Sequence, residues 1–232
     1  MSLKVWNGTS FADSSQVRVW NGSAFVQPQG VYEWDGSQFV RRWPPSAAGP
    51  TFMQALSAAG SNTNATVTIT KSEGTTLFIG TTANSYGGLG VTMNGSALTP
   101  YGTVTATRIQ QMFVVTGAPA GTYTFVCDGG GSWETMIVAE YSGVTNIGAY
   151  TSKVSSSQVA THTPDGSGVL AIALVAGVAA SSASPSYVGD VRHRQIGNGS
   201  NNQSIAFIDS PNAPLGINAS GSAMSVGCMW LS

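Results

Sequence analysis

The feature that most narrows what this chain can fold into is a short repeat near its start. Lys4-Val-Trp-Asn-Gly-Thr-Ser-Phe11, Arg18-Val-Trp-Asn-Gly-Ser-Ala-Phe25 and Tyr32-Glu-Trp-Asp-Gly-Ser-Gln-Phe39 align without gaps, fourteen residues apart. Asn-Gly and Asp-Gly are the strongest two-residue hairpin signals, because a type I′ turn needs φ > 0 at both central positions. A turn at Asn7-Gly8 sets Trp6 opposite Thr9, Val5 opposite Ser10 and Lys4 opposite Phe11. Trp6 and Phe11 then become diagonal neighbours on one face. The pattern predicts three β-hairpins whose aromatic faces carry Trp6 and Phe11, Trp20 and Phe25, and Trp34 and Phe39.

A lone hairpin of this length is marginal in water, with too little apolar surface to offset its ordering entropy. The six rings therefore require an outside surface. The fourteen-residue period is shorter than the roughly 20–50 residues of self-stacking solenoids. That favours packing between chains, and a homotrimer is the expected assembly. The competing expectation folds the hairpins back onto the rest of the chain.

Residues 1–43 thus form the repeat region. Residues 44–50, Pro-Pro-Ser-Ala-Ala-Gly-Pro, read as a linker, since paired prolines cannot continue a ladder. Residues 51–232 read as an all-β, jelly-roll-like sandwich. Strands are predicted at Ala65–Thr70, Thr76–Gly80, Leu89–Met93, Gln111–Val115, Thr122–Cys127, Thr135–Tyr141, Gly168–Val175, Gln203–Ile208 and Ala223–Leu231. Turn signals such as Asn94-Gly95 and Pro164-Asp165-Gly166 separate them, and no segment carries a capped helical period. Strand parity puts Tyr123, Phe125 and Cys127 inside, together with Met224, Val226, Cys228 and Trp230, and puts Ser225 and Gly227 outside.

Composition excludes several classes. Charged residues are 8% of the 232, with a net charge of −1, so clustered cations for nucleic acid are lacking. The longest apolar run, residues 169–180, is shorter than the roughly 18 residues that span a bilayer, so membrane insertion is not expected. The first residues lack an apolar signal segment, so export by that route is not expected either. Cys127 and Cys228 are read as free, buried thiols.

No constellation in the sequence nominates a catalytic, cofactor or metal residue. His162, in an expected turn, and His193 have no metal-ligand spacing, and no nucleophile elbow or phosphate loop occurs. Glu140, inside an apolar run, reads as a partnered carboxylate. The chain is accordingly read as a non-enzyme without cofactors. For sugar contact, aromatic faces and amides on loops nominate Trp133, Tyr187, Asn201 and Gln203.

The stretch Lys4–Pro45 resembles the K-V-W-N-G-x-x-F arrays of minor tail proteins from actinobacterial phages, including the closing Arg42-Trp43-Pro44-Pro45 segment. The third repeat departs, with Tyr32-Glu33 for Lys/Arg-Val and Asp35 for Asn, but Asp-Gly keeps the turn. The resemblance implies a structural protein of the virion tail or tail fibre, made in the host cytoplasm and partnered by other virion proteins. Its hairpins would attach or trimerise, and its sandwich would face the host surface; the resemblance names no ligand, and a host cell-wall glycan is the contact that the loop aromatics and amides suggest. A capsid decoration or head fibre is the alternative, and a tail-borne cell-wall hydrolase a third. Gly121-Thr-Tyr-Thr-Phe-Val, Ile137-Val-Ala-Glu-Tyr-Ser-Gly-Val and Gly168-Val-Leu-Ala-Ile-Ala-Leu are also similar to a β-sandwich module of bacterial surface and phage proteins.

Overall fold

The computed structural model describes residues 4–6, 9, 11–13, 19–20, 23, 25–26, 31–34, 36–37 and 39–43. It also describes 49–232 apart from 61–62, 84–88, 106–108, 129–133, 179–184, 197–202 and 220–223. The expected all-β class is observed, with no helix among the described residues. The chain divides into two compact units, Met1–Ala48 and Gly49–Ser232.

The first unit contains β1 (Lys4–Trp6) paired with β2 (Phe11–Asp13), β3 (Val19–Trp20) with β4 (Phe25–Val26), and β5 (Val31–Trp34) with β6 (Phe39–Trp43). The register differs from the expected one. Trp6 lies directly opposite Phe11, Trp20 opposite Phe25 and Trp34 opposite Phe39. The connection is therefore four residues long in every repeat, not two. Direct opposition brings the two aromatic positions closer than a diagonal relation does, and cross-strand aromatic pairs are worth roughly 0.2–1 kcal/mol. Four-residue loops are a common hairpin solution in their own right. Trp34 remains 55% exposed.

The second unit begins with nine strands: β7 (Thr51–Gly60), β8 (Ala65–Lys71), β9 (Thr76–Ala83), β10 (Gly90–Met93), β11 (Ser96–Ala97), β12 (Gly102–Thr105), β13 (Ile109–Val115), β14 (Gly121–Asp128) and β15 (Glu134–Ser142). Eight more follow: β16 (Thr151–Ser155), β17 (Val159–His162), β18 (Leu170–Val178), β19 (Ser186–Val188), β20 (Asp190–Gln195), β21 (Gln203–Ser210), β22 (Leu215–Asn218) and β23 (Met224–Leu231). They form four antiparallel sheets, ordered β11-β10-β14-β8, β12-β13-β9-β15-β7, β16-β23-β18-β21-β20 and β17-β22-β19.

These sheets stack in four layers around three apolar interiors, so residues 51–232 hold two paired sheets where one pair was expected. The first interior lies between the β8/β10/β14 sheet and the β9/β13/β15 sheet and contains Ile69, Leu77, Ile79, Phe113, Phe125 and Cys127. Tyr123 packs against it, so the predicted inward set of β14 is observed. The second interior joins the two five-stranded sheets, with Phe78, Met112, Ile137 and Tyr141 meeting Ile172, Leu174, Phe207 and Met229. The third lies between β18/β21/β23 and β17/β22, and holds Val175, Ile208, Ile217, Met224, Val226 and Cys228.

The two halves share one connectivity. Written in the same direction, the five-stranded sheets run β12-β13-β9-β15-β7 and β20-β21-β18-β23-β16. Each strand of the second list occupies the place of its counterpart in the first. The outer sheets correspond as β10-β14-β8 and β19-β22-β17, with the two-residue β11 as an addition. Within each half the pairing is nested as in a rolled-up hairpin: first strand with last, second with second-to-last.

Burial on both faces explains the apolar runs. Residues 171–177 of β18 are buried throughout, because alternate side chains enter the second and third interiors; strands covered on both faces lose the apolar–polar alternation. The same holds for β23, and this corrects the expected outward face. Ser225 is 9% exposed, and Met229 and Leu231 are fully buried. Ser225 is tolerated there because its Oγ donates to Gln110 Oε1 at 2.5 Å, while Gln110 Nε2 donates to the Leu174 carbonyl at 2.7 Å. A buried polar group with its partners in place costs little. The sheets approach so closely that a Cβ on Gly80 would stand 2.5 Å from Leu174 Cδ1. His162 closes strand β17 opposite Leu215 and does not lie in a turn.

Candidate functional site

The strand order brings three separated connections to one end of the first half. They are the turn between β8 and β9 (72–75), that between β13 and β14 (116–120), and the segment leaving β15 (143–147). Together they enclose a cleft of about 570 Å³.

Each wall is held by its own bonds. Beneath the first lies Glu140 of β15, fully buried. A register shift in the β7–β15 ladder falls between Glu140 and Tyr141, so that Gln54 lies opposite Glu140 and Phe52 opposite Tyr141. Bulges of this kind re-aim a side chain. The Glu140 carboxylate accepts from Gln54 Nε2 at 2.5 Å, the Ser72 amide at 2.6 Å and Thr75 Oγ1 at 2.6 Å. Burial pushes its pKa upward, but the donors from Thr75, Gln54 and Ser72 outweigh burial and hold it below the ordinary carboxylate value. The buried Lys71 adds a bond from Nζ to the Ser72 carbonyl at 3.0 Å. Glu73 on the same turn accepts from the Ala120 amide at 3.2 Å, tying the first wall to the second. The third wall is fixed where the Thr145 and Asn146 amides donate to the Ser232 carbonyl at 2.6 and 2.8 Å. Tyr101 Oη adds a bond to the Gly148 carbonyl at 3.0 Å.

A second polar group joins the two halves. Ser57 of β7 stands 2.8 Å from His193 Nε2 and donates to Gln195 Oε1 at 2.6 Å, both on β20. A serine beside a histidine raises the question of a nucleophile. Gln195 Nε2 is engaged with the Ile196 carbonyl, so its Oε1 is the atom facing Ser57 and takes the hydroxyl proton. His193 Nε2 must then be the donor to Ser57, which is the wrong tautomer for a general base. The trio is a clasp between the edges of the two five-stranded sheets. Burial lowers the His193 pKa and keeps the ring neutral.

Nearby, the buried Asp209 accepts from Tyr141 Oη at 2.7 Å and from Arg192 Nε at 2.8 Å. The Arg192 guanidinium also lies 5.6 Å from the Phe52 ring centre. Tyr141 is the hub of the surrounding rings, with Phe52, Phe78 and Phe207 at 5.6, 5.7 and 6.0 Å. Burial, with the Asp209 carboxylate second, pushes the Tyr141 pKa upward.

No protein-family model, curated protein or solved structure matches this chain. The residues themselves therefore carry the reading.

The residues nominated for sugar contact are not brought together by what is described. Trp133 and Asn201 lie outside the described residues. Gln203 opens β21 opposite Val178. Tyr187, in β19, is half-buried against the third interior, and burial raises its pKa. Among the described residues, no group of three or more His, Cys, Asp or Glu is placed to hold a metal ion. Cys127 and Cys228 are free and sit in different interiors. Burial raises both thiols, Cys228 to about 11. The cleft was missed by sequence reasoning because Ser-Glu-Gly-Thr, Thr-Gly-Ala-Pro and Val-Thr-Asn-Ile each read as an ordinary connection.

Proposed function

We propose that this chain is a structural protein of a phage virion, placed in the tail or a tail fibre. Its N-terminal hairpins attach or trimerise, and its large β unit faces the host surface. The observation that carries this reading is the triple hairpin. Three repeats share one register, with Trp opposite Phe each time, and they make up a compact unit, Met1–Ala48. Such strands cannot bury their own rings, and a constant period supplies a regular row for sister chains or a particle surface to cover. The composition fits, since interface cores are depleted in charge.

A capsid decoration or head fibre needs the same two parts and is the second reading. A cell-wall hydrolase is less well supported. Glu140 is surrounded by donors from its own chain, and Asp209 is engaged by Arg192 and Tyr141, so neither is aimed at a substrate.

The test is gold labelling of intact particles with an antibody against residues 51–232. Label at the tail tip or side fibres is the expected result. Label over the head would replace the tail reading with the decoration reading, and unlabelled particles from cells that make the protein would remove both.

A further inference from the structure

The cleft lined by residues 73–76, 116–119 and 144–147 is open to solvent. Its volume of about 570 Å³ falls in the small-ligand range of roughly 300–1,000 Å³. Its first two walls are bonded to each other through Glu73 and the Ala120 amide, and its third is bonded to Ser232, so a ligand would find them in place and the ordering cost of binding would be small.

The lining states the chemistry. The side chains of Thr116, Thr145 and Asn146 have no hydrogen-bond partner among the described residues. Hydroxyls and an amide offer donors and acceptors at once, which matches a ligand whose own groups are hydroxyls. No Lys, Arg or His lines the cleft, and Glu73 brings its one carboxylate. An anionic ligand is thereby disfavoured and an amine favoured. Val144 and Ile147 add aliphatic surface for the C–H face of a ring.

We infer that this cleft binds a saccharide without negative charge, with an amino sugar preferred over its parent hexose. The inference rests on the host-facing reading of the large unit and names the ligand class for it.

The experiment is a two-dimensional amide NMR titration of the full chain. The probes are glucose, galactose and mannose, their 2-amino forms, and glucuronate and galacturonate, at up to about 50 mM, well above the millimolar Kd of a shallow polar site. The expected result is saturable shifts at residues 73–76, 116–118 and 144–147 with at least one neutral or amino sugar, and none with the uronates. Asn146→Ala and Thr116→Val, both on exposed loops, should each weaken that binding while leaving the rest of the spectrum unchanged. Glu73→Gln should remove the preference for the amino form, about two- to five-fold for an exposed charge. Absence of cleft shifts with every neutral and amino sugar would overturn the inference, as would uronates binding equally well. Particle labelling is independent of this titration: tail label with a silent cleft refutes the ligand class alone.

Discussion

Replacing Glu140 by Gln tests how the first wall of the cleft is held. The carboxylate takes three hydrogen bonds inside a fully buried site. Bonds to a charged acceptor contribute about 1.5–3 kcal/mol each, and neutral bonds about half that. In the Gln variant, the amide oxygen can keep Ser72 and Thr75 at the weaker, neutral strength. The new NH₂ group then faces Gln54 Nε2, donor against donor. Gln54 cannot turn its own oxygen inward without giving up its bond to the Thr70 carbonyl at 2.8 Å. The net loss is about 2–4 kcal/mol, a large part of a domain stability of roughly 5–15 kcal/mol. Urea unfolding followed by circular dichroism at pH 7 should show a lower midpoint with an unchanged slope. Acid provides a second arm. The folded-state pKa of Glu140 is depressed, so its contribution is complete above the unfolded value of about 4.5 and fades as pH falls towards the folded value. The gap between wild type and variant should therefore shrink from pH 7 to pH 3.5. A variant within about 0.5 kcal/mol of wild type, or a gap that does not change with pH, would refute the reasoning.

Three further outcomes are expected. Arg192→Met leaves the buried Asp209 carboxylate without its cation and should cost about 3–5 kcal/mol in urea unfolding, much of it recovered in the Arg192→Met/Asp209→Asn double variant. Gly80→Ala drives a methyl against Leu174 between the two five-stranded sheets and should cost about 1–3 kcal/mol, read as a lowered Tm. Replacing Trp6, Trp20 and Trp34 together by Ser should convert the proposed trimer to monomer in analytical ultracentrifugation while the thermal transition of the large unit stays in place.

Much of the fold was legible because its long strands carry their own signals. All nine strands read from the sequence occur, their ends shifted by at most three residues. Asn94-Gly95 does make the tight turn it advertises, with φ of 50° and 83°. What escaped were strands whose reason for existing lies far away in sequence. Thr151-Ser-Lys-Val-Ser is a strand because β23 pairs with it some seventy residues later, and Asp190-Val-Arg-His-Arg-Gln because β21 does. Thr51–Gly60 carries three Ala and little β-branched character, and its partner is β15. The hairpin register was not legible for a different reason: an Asn-Gly or Asp-Gly pair suits a two-residue turn and a four-residue loop alike, and the pairing places Trp opposite Phe. The four layers were hidden because β18 and β23 read as apolar whether one face is covered or two. The cleft drew on three connections that only the strand order makes neighbours. The Asp209 cluster likewise unites residues 141, 192 and 209.

The matched connectivity of the two halves has a consequence for assembly. Two separate sandwiches of this kind, meeting through their five-stranded sheets, would hold together only above some concentration. Here residues 143–150 tether them, and a short tether supplies an effective concentration in the millimolar range. The contact built around Tyr141, Leu174 and Phe207 therefore survives any dilution. A shared seam of this sort also frees each half from having to match itself. One partner can carry Glu140 and the turns that it braces, while the other keeps the same path through space with different side chains. Such a molecule behaves as a dimer that cannot dissociate, so that only the proposed association of its hairpins would still depend on how many copies are near.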